Sequence, residues 1–253
     1  MTQELDFTGK RLLITGGSGD IGRAIATAFA KRGARIAFTY FSSHEGMEKT
    51  VAAVEAAGSD ALPVRCNLRD KGGVAEIIEP VKAHFGELDI LVSNAATGVL
   101  RPVLELTPKH WDWTLTVNAR AFLELVTAFA PDMPRGSRIM ALSSAGATKA
   151  IEHYAAVGAS KAAMESLVRH MAMELGPRGI TVNTLCPGVV DTQALNHFPN
   201  REQLLEVAGY RTPNGRIATP ADVADVALLI ASPLAQMIQG QTVIIDGGYS
   251  ILA

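Results

Sequence analysis

Apolar residues along this 253-residue chain fall into short, nearly continuous runs, separated by longer stretches in which they recur every three or four positions. The short runs predict strands at 11–15, 35–40, 61–66, 88–93, 137–143, 180–186 and 241–246. The periodic stretches predict helices at 21–32, 45–57, 74–85, 111–130, 155–175 and 221–231. Short strands without polar alternation must be covered on both faces. Their regular alternation with helices predicts right-handed βαβ units and an α/β fold, a Rossmann-type doubly wound parallel sheet of about seven strands. One long irregular stretch, 187–220, holds a polar cluster at Asn196–Arg201, a weak helical pattern at 202–208 and the turn signal Pro213-Asn214-Gly215. A loop of that length inside a compact domain more often covers a site than links two domains. Residues 1–253 therefore read as one domain with an insert around 189–216.

Composition narrows the functional classes. Hydrophobic residues make up 48% of the chain and charged residues 19%, enough for a large core, and the formal net charge is −2 without a run of like charge. A nucleic-acid partner would call for a basic face, so none is expected. No apolar stretch approaches the ~20 residues of a bilayer span, and Met1–Asp6 is too polar for a signal or transit peptide. These features predict a cytoplasmic protein without membrane attachment. Cys66 and Cys186 stand alone, as expected of buried reduced thiols, and the six histidines lack metal-ligand spacing, so no metal is expected.

The first predicted strand runs into Thr15-Gly16-Gly17-Ser18-Gly19-Asp20-Ile21-Gly22 and then a helix. Residues 17–22 satisfy G-x-G-x-x-G, in which glycines allow a tight turn and close backbone approach to a pyrophosphate, while the helix N-terminus offers free N–H groups. In a βαβ setting this predicts a dinucleotide site. The second strand bears on which dinucleotide. An acidic residue about 20 positions after the loop would grip a ribose 2′-hydroxyl and repel a 2′-phosphate. Here Tyr40-Phe41-Ser42-Ser43-His44 contains no carboxylate before Glu45. Ser42, Ser43 and His44 can donate to a phosphate and Arg23 can supply charge, which favours NADPH over NADH.

Several segments resemble the short-chain dehydrogenase/reductase family. Thr15, Gly16 and Gly22 fit its TGxxxGxG signature, with Asp20 in place of the middle glycine. A carboxylate there must point away from the pyrophosphate, or Gly19 must take over the close approach. Asn67-Leu68 resembles the adenine contact, Ser93-Asn94-Ala95-Ala96 the turn after the fourth strand, and Asn118 the structural and proton-relay asparagine. Pro187-Gly188-Val189-Val190-Asp191-Thr192 resembles the segment that contacts the nicotinamide carboxamide, and Asp246-Gly247-Gly248-Tyr249 an end signature that implies a homotetramer. The resemblance implies cofactor binding by Gly16, Ser18, Gly19, Asp20, Ile21, Gly22, Tyr40, Ser42, Ser43, Asn67, Leu68, Asn94, Ala95, Lys161, Pro187, Gly188, Val190 and Thr192.

Most members of that family carry Tyr-x-x-x-Lys. Here Val157 stands four residues before Lys161, and Tyr154 stands seven before it. Offsets of four and seven return to one helix face, but seven residues span ~10 Å of axis against ~6 Å for four. The hydroxyl is thus set back from the lysine. Carbonyl reduction needs the proton on the oxygen of the carbon that receives hydride. Reduction of an α,β-unsaturated thioester puts hydride on C3 while charge develops on the oxygen of C1, a geometry that suits a donor set farther back.

Tyr-x6-Lys, together with residues 94–102, 110–114, 194–201 and 240–242, resembles the NADPH-dependent enoyl-[acyl-carrier-protein] reductases of type III. That branch carries arginine where Ser42 stands and glycine where Asp20 stands. The resemblance implies reduction of a trans-2-enoyl thioester, carried on acyl carrier protein or coenzyme A, in fatty-acid or polyketide synthesis. Tyr154 would stabilise the enolate, and Lys161 would hold the nicotinamide ribose and lower the tyrosine pKa. Asn118 would support the site, and Ser144, 17 residues before the lysine, would either act there or shape the pocket. Ala96, Leu195 and Phe198 are candidate substrate contacts beside Tyr154. Arg101, Arg201, Arg211 and Arg216 can meet an acidic carrier or a phosphate, or simply face solvent. Trp111 and Trp113 read as core anchors. A carbonyl reductase using Tyr154 and a non-catalytic NADP(H) sensor or scaffold are the alternatives.

Overall fold

The computed structural model describes residues 5–198 and 201–252, without the side chain of His197. Pro199 and Asn200, part of one segment that carries the resemblance, lie outside the described residues. Seven parallel strands form one sheet: β1 (Arg11–Ile14), β2 (Arg35–Tyr40), β3 (Ala61–Arg65), β4 (Ile90–Ser93), β5 (Arg138–Leu142), β6 (Thr181–Pro187) and β7 (Thr242–Ile245). Their spatial order is β3-β2-β1-β4-β5-β6-β7. The central strands are buried from end to end, as the unbroken apolar runs require.

Helices cover both faces. One layer packs α1 (Asp20–Ala30), α2 (His44–Ala56) and α8 (Pro220–Ala231) on Leu12, Ile14, Ile36 and Phe38. The other packs α3 (Ala75–Phe85), α5 (Ala121–Phe129) and α6 (Ala155–Leu175) on Leu13, Ala37, Leu91 and Ile139. Successive residues of β1 thus serve opposite cores, because side chains alternate across a strand. The remaining helices are α4 (Pro108–Leu115) and α7 (Arg201–Arg211). No helix among the described residues is long and apolar enough to cross a membrane.

One predicted helix is corrected. The expected continuous helix at 111–130 is α4 and α5 joined by a π-helical turn at Thr116–Arg120. Thr107 and Pro108 move its start forward: the Thr107 hydroxyl accepts from His110 N–H in a capping box with proline in the first turn. The π turn inserts an extra residue per turn, and Asn118 lies inside it. An inward-facing amide there has no signature in hydrophobic periodicity.

Candidate active site

In a doubly wound sheet, ligands bind outside the C-terminal strand ends where strand order reverses. Here that point lies between β1 and β4, and it opens a cleft of about 600 Å³. The phosphate end is a backbone cradle. A Cβ added to Gly22 would lie 2.3 Å from the Gly16 carbonyl oxygen, so only glycine lets helix α1 begin this close to the loop. Gly19 caps α1 in extended conformation without a side-chain hydrogen bond, which leaves the first N–H groups for an anion. Asn94 ties this loop to β4: its Nδ2 donates to the carbonyls of Thr15 and Gly16 at 2.9 and 3.1 Å. The Thr15 hydroxyl accepts from the N–H groups of Asn94 and Ala95, both at 3.0 Å. These residues fit a bound pyrophosphate.

Asp20 lines the same cleft, but its carboxylate is taken up by other partners. Its carboxylate accepts from Arg23 Nη2 at 2.7 Å and from the backbone N–H of Gln193 at 2.8 Å. Arg23 is therefore committed to Asp20 and faces a neighbouring groove instead of the ribose, correcting the expectation that it supplies charge to a 2′-phosphate. At the ribose end, Tyr40, Phe41, Ser42 and Ser43 line the cleft. The Ser43 hydroxyl caps α2 by accepting from Gly46 N–H at 3.1 Å. Glu45 turns outward to Lys49 at 2.6 Å, so no carboxylate opposes a phosphate there.

The catalytic end is assembled where β5 meets α6. Tyr154 is the N-cap of α6: it is not itself helical, and its carbonyl accepts the first bond, from Gly158 N–H at 2.7 Å. Its ring packs on Gly146, where an added Cβ would come within 2.5 Å of Cδ1. His153, immediately before it, has φ of 60°, the one left-handed non-glycine residue among those described. Val157 is buried against Gly98, whose added Cβ would lie 2.1 Å from Val157 Cγ2, so the position four before the lysine is an apolar wall. Lys161 is buried and donates to the Leu142 carbonyl at 2.6 Å, leaving two ammonium N–H groups for the cleft.

Burial pushes the Lys161 ammonium down to about 8, although the Cys186 thiol and Glu165 carboxylate favour its charge. Burial pushes the Tyr154 phenol above its ordinary value, with a hydrogen bond from Ser144 acting the other way. Removal from water dominates, and the phenol stays a protonated donor at neutral pH. Cys66 and Cys186 are free and buried, and burial raises both thiols to about 11.

Most of the candidate residues meet in this one cleft, including Ser18, Ile21, Asn67, Leu68, Ala95, Ala96, Ser144, Tyr154, Lys161, Pro187 and Thr192. Gly188, Val190, Asn118, Leu195 and Phe198 are not in its lining. Gly188 packs on Asp246, where an added Cβ would lie 2.7 Å from the aspartate Cβ. Val190 is buried in a bridge to Ala218. Asn118 is a brace: Nδ2 donates to the Thr97 carbonyl and to Ser160 Oγ, both at 2.8 Å, and Oδ1 accepts from Thr97 N–H at 2.9 Å. Phe198 approaches Tyr154 with ring centroids 6.1 Å apart.

Other residues come to the cleft only through the fold. Trp113 lines it with Arg69 stacked 5.0 Å over its ring, and Trp111 is exposed, so neither tryptophan is a core anchor. Gln193 and Ala194 join it from the insert. Of the arginines proposed to meet a carrier, Arg201 pairs with Asp191 at 2.7 Å, Arg216 with Asp222 at 2.6 Å, and Arg101 weakly with Glu105 at 3.7 Å. Local sequence would reveal only the i, i+4 and i, i+6 pairs.

The chain is similar to known proteins along most of its length. A family model described as Enoyl-(Acyl carrier protein) reductase matches residues 17–250. The chain is 38% identical over 243 residues to 1-cyclohexenylcarbonyl-CoA reductase of Streptomyces collinus, covering 95% of this chain and 87% of that protein. It is 34% identical to versicolorin reductase of Emericella nidulans, with 95% of each covered. A short-chain dehydrogenase from Burkholderia cenocepacia, solved in complex with NADP, superposes with a TM-score of 0.88 at 35% identity, over 96% of this chain and 99% of that one. The chain belongs to the short-chain dehydrogenase/reductase family. Within it, the protein is an NAD(P)-dependent reductase.

Proposed function

We propose that this protein uses NADPH to reduce the 2,3 double bond of a trans-2-enoyl thioester carried on acyl carrier protein or coenzyme A. One observation carries the reading: the donor Tyr154 stands at the entrance of α6, seven residues before Lys161, while the position four before it is the buried Val157. The family model's description and the similarity to a reductase of a cyclohexenyl thioester support it. NADPH supplies a hydride to C3 when bound. Tyr154 O–H donates to the thioester oxygen, where negative charge develops, an interaction worth roughly 3–4 kcal/mol for one such donor. The N–H groups of Lys161 not given to Leu142 would hold the nicotinamide ribose. Thr192 and Pro187 would hold the nicotinamide, Phe198 and Ala96 would flank the acyl group, and the proton at C2 would come from solvent.

The preference for NADPH rests on the end of β2, where Ser42, Ser43 and the start of α2 offer donors and no carboxylate faces inward. The NADP-bound relative supports the same choice. The second reading is carbonyl reduction, favoured by the similarity to versicolorin reductase. Loss of NADPH absorbance, followed with an enoyl thioester and the matching 3-ketoacyl thioester side by side, separates the two. Turnover of the enoyl substrate alone is expected. Turnover of the keto substrate alone would move the protein to the ketoreductases.

A further inference from the structure

Asp20 stands where the TGxxxGxG signature has its middle glycine, and a carboxylate there weakens attraction for an anionic ligand. The structure shows what it reaches. One carboxylate oxygen accepts from the backbone N–H of Gln193 at 2.8 Å, a contact across 173 positions of chain, and the other accepts from Arg23 at 2.7 Å. Arg23 also leans on the Ser18 carbonyl at 3.4 Å. Gln193 opens the short 3-10 helix at Gln193–His197, and with Thr192 and Ala194 it lines the cofactor cleft.

Beyond that contact, the segment meets the rest of the protein where Phe198 faces Tyr154 and Arg211 stacks over Tyr249. Among the described residues from 191 to 211, only Ala208 is buried. Asp20, Thr192 and Gln193 also line a second groove of about 840 Å³ between α1 and α8, so their contact is the partition between the two spaces.

We propose that Asp20 is a positioning residue that latches the root of the substrate-covering segment to the phosphate loop, and that it does so at the expense of NADPH affinity. The proposal rests on the reading of the cleft as a cofactor site. Removing the carboxylate takes one negative charge from the pyrophosphate end and frees Arg23, so NADPH binds more tightly. The same removal unties Gln193, so the covering segment opens more often and substrate binds less well. A residue with only a general structural role would move both affinities in one direction.

Two substitutions separate charge from latch. Asp20→Asn removes the charge but keeps an oxygen that can accept from Gln193, whereas Asp20→Ala removes both. Fluorescence titration with NADPH is expected to show about 3- to 10-fold tighter binding in both variants. Hydrogen–deuterium exchange of the cofactor-free protein is expected to show the Gln193 amide exchanging ~10-fold faster in Asp20→Ala and near the wild-type rate in Asp20→Asn. With enoyl thioester, KM is expected to rise several-fold only in Asp20→Ala. Unchanged Gln193 exchange in Asp20→Ala would overturn the latch. Weaker NADPH binding in both variants would overturn the affinity cost and make Asp20 a cofactor ligand. The exchange and titration need no turnover, so they read the latch even if no enoyl substrate is accepted.

Discussion

One wall of the cleft is made by the ends of β5 and α6, and another by Thr192, Gln193 and Ala194, at the root of the segment 191–211. On the first, three successive residues each engage α6: the Leu142 carbonyl accepts from Lys161, Ser143 donates to the buried Glu165 at 2.5 Å, and the Ser144 hydroxyl acts on Tyr154. β5 is buried along its whole length, and Met164 and Val168 anchor the next turns of α6 in the core. The second wall buries little among its described residues: Asp20 holds Gln193, Phe198 faces Tyr154 and Arg211 stacks over Tyr249, while Asp191 and Arg201 pair within the segment. Burial at ~25 cal/mol per Å² of apolar surface holds the first wall firmly. An exposed ion pair adds only ~0–1 kcal/mol to the second. The difference matches two tasks: donors aimed at developing charge must not reorganise, whereas a cover must let substrate in and product out.

Substitutions that sharpen this contrast differ in expected size. Tyr154→Phe removes the donor from the firm wall without disturbing its packing. It should lower kcat for enoyl reduction by about 10²–10³, read as NADPH oxidation, with NADPH affinity retained. Gly22→Ala attacks the cradle. Its methyl group must displace the Gly16 carbonyl, costing about 1–3 kcal/mol, so NADPH affinity should fall by about 5- to 150-fold in titration.

The pH dependence tests the buried lysine. Its folded pKa, about 8, lies below the ordinary lysine value, so below pH 8 the charged form is carried into the core at a stability cost. That cost is relieved as pH rises from about 8 toward the ordinary value. Ligand contacts made by the ammonium fade over the same range. NADPH affinity of the wild type should therefore decline above about pH 8, and Lys161→Met should bind weakly without that limb. Lys161→Met should also melt about 3–6 °C higher at pH 7, because it removes a buried charge. The smallest effect belongs to the covering segment. Arg201→Ala breaks the pair with Asp191 and should raise KM for the thioester by no more than about 3-fold, with kcat unchanged. A kcat loss as large as that of Tyr154→Phe would show that both walls carry the chemistry.

Much of this was legible along the chain. Each predicted strand lies within one or two residues of an observed one, because strands buried on both faces leave unbroken apolar runs. Gly16, Ser18 to Gly22, Ser42, Ser43, Asn67 and Asn94, grouped in the sequence as a candidate cofactor site, do line one cleft, because close backbone approach constrains short stretches of sequence. The kink at Asn118, the exposure of Trp111 and the place of Trp113 beside Arg69 were not legible. Each depends on which face of a helix meets which neighbour, and periodicity is silent there.

The chain's own order determined the fold class, the cradle and the seven-residue offset between Tyr154 and Lys161, since these are properties of residues close together in sequence. Tertiary structure alone decided that the Asp20 carboxylate reaches Gln193, that Arg23 leaves the ribose end, and that Tyr154 stays protonated while Lys161 loses much of its hold on its proton. Those outcomes depend on desolvation and on contacts made across as many as 173 positions, and neither can be summed until the sheet has brought its strand ends together.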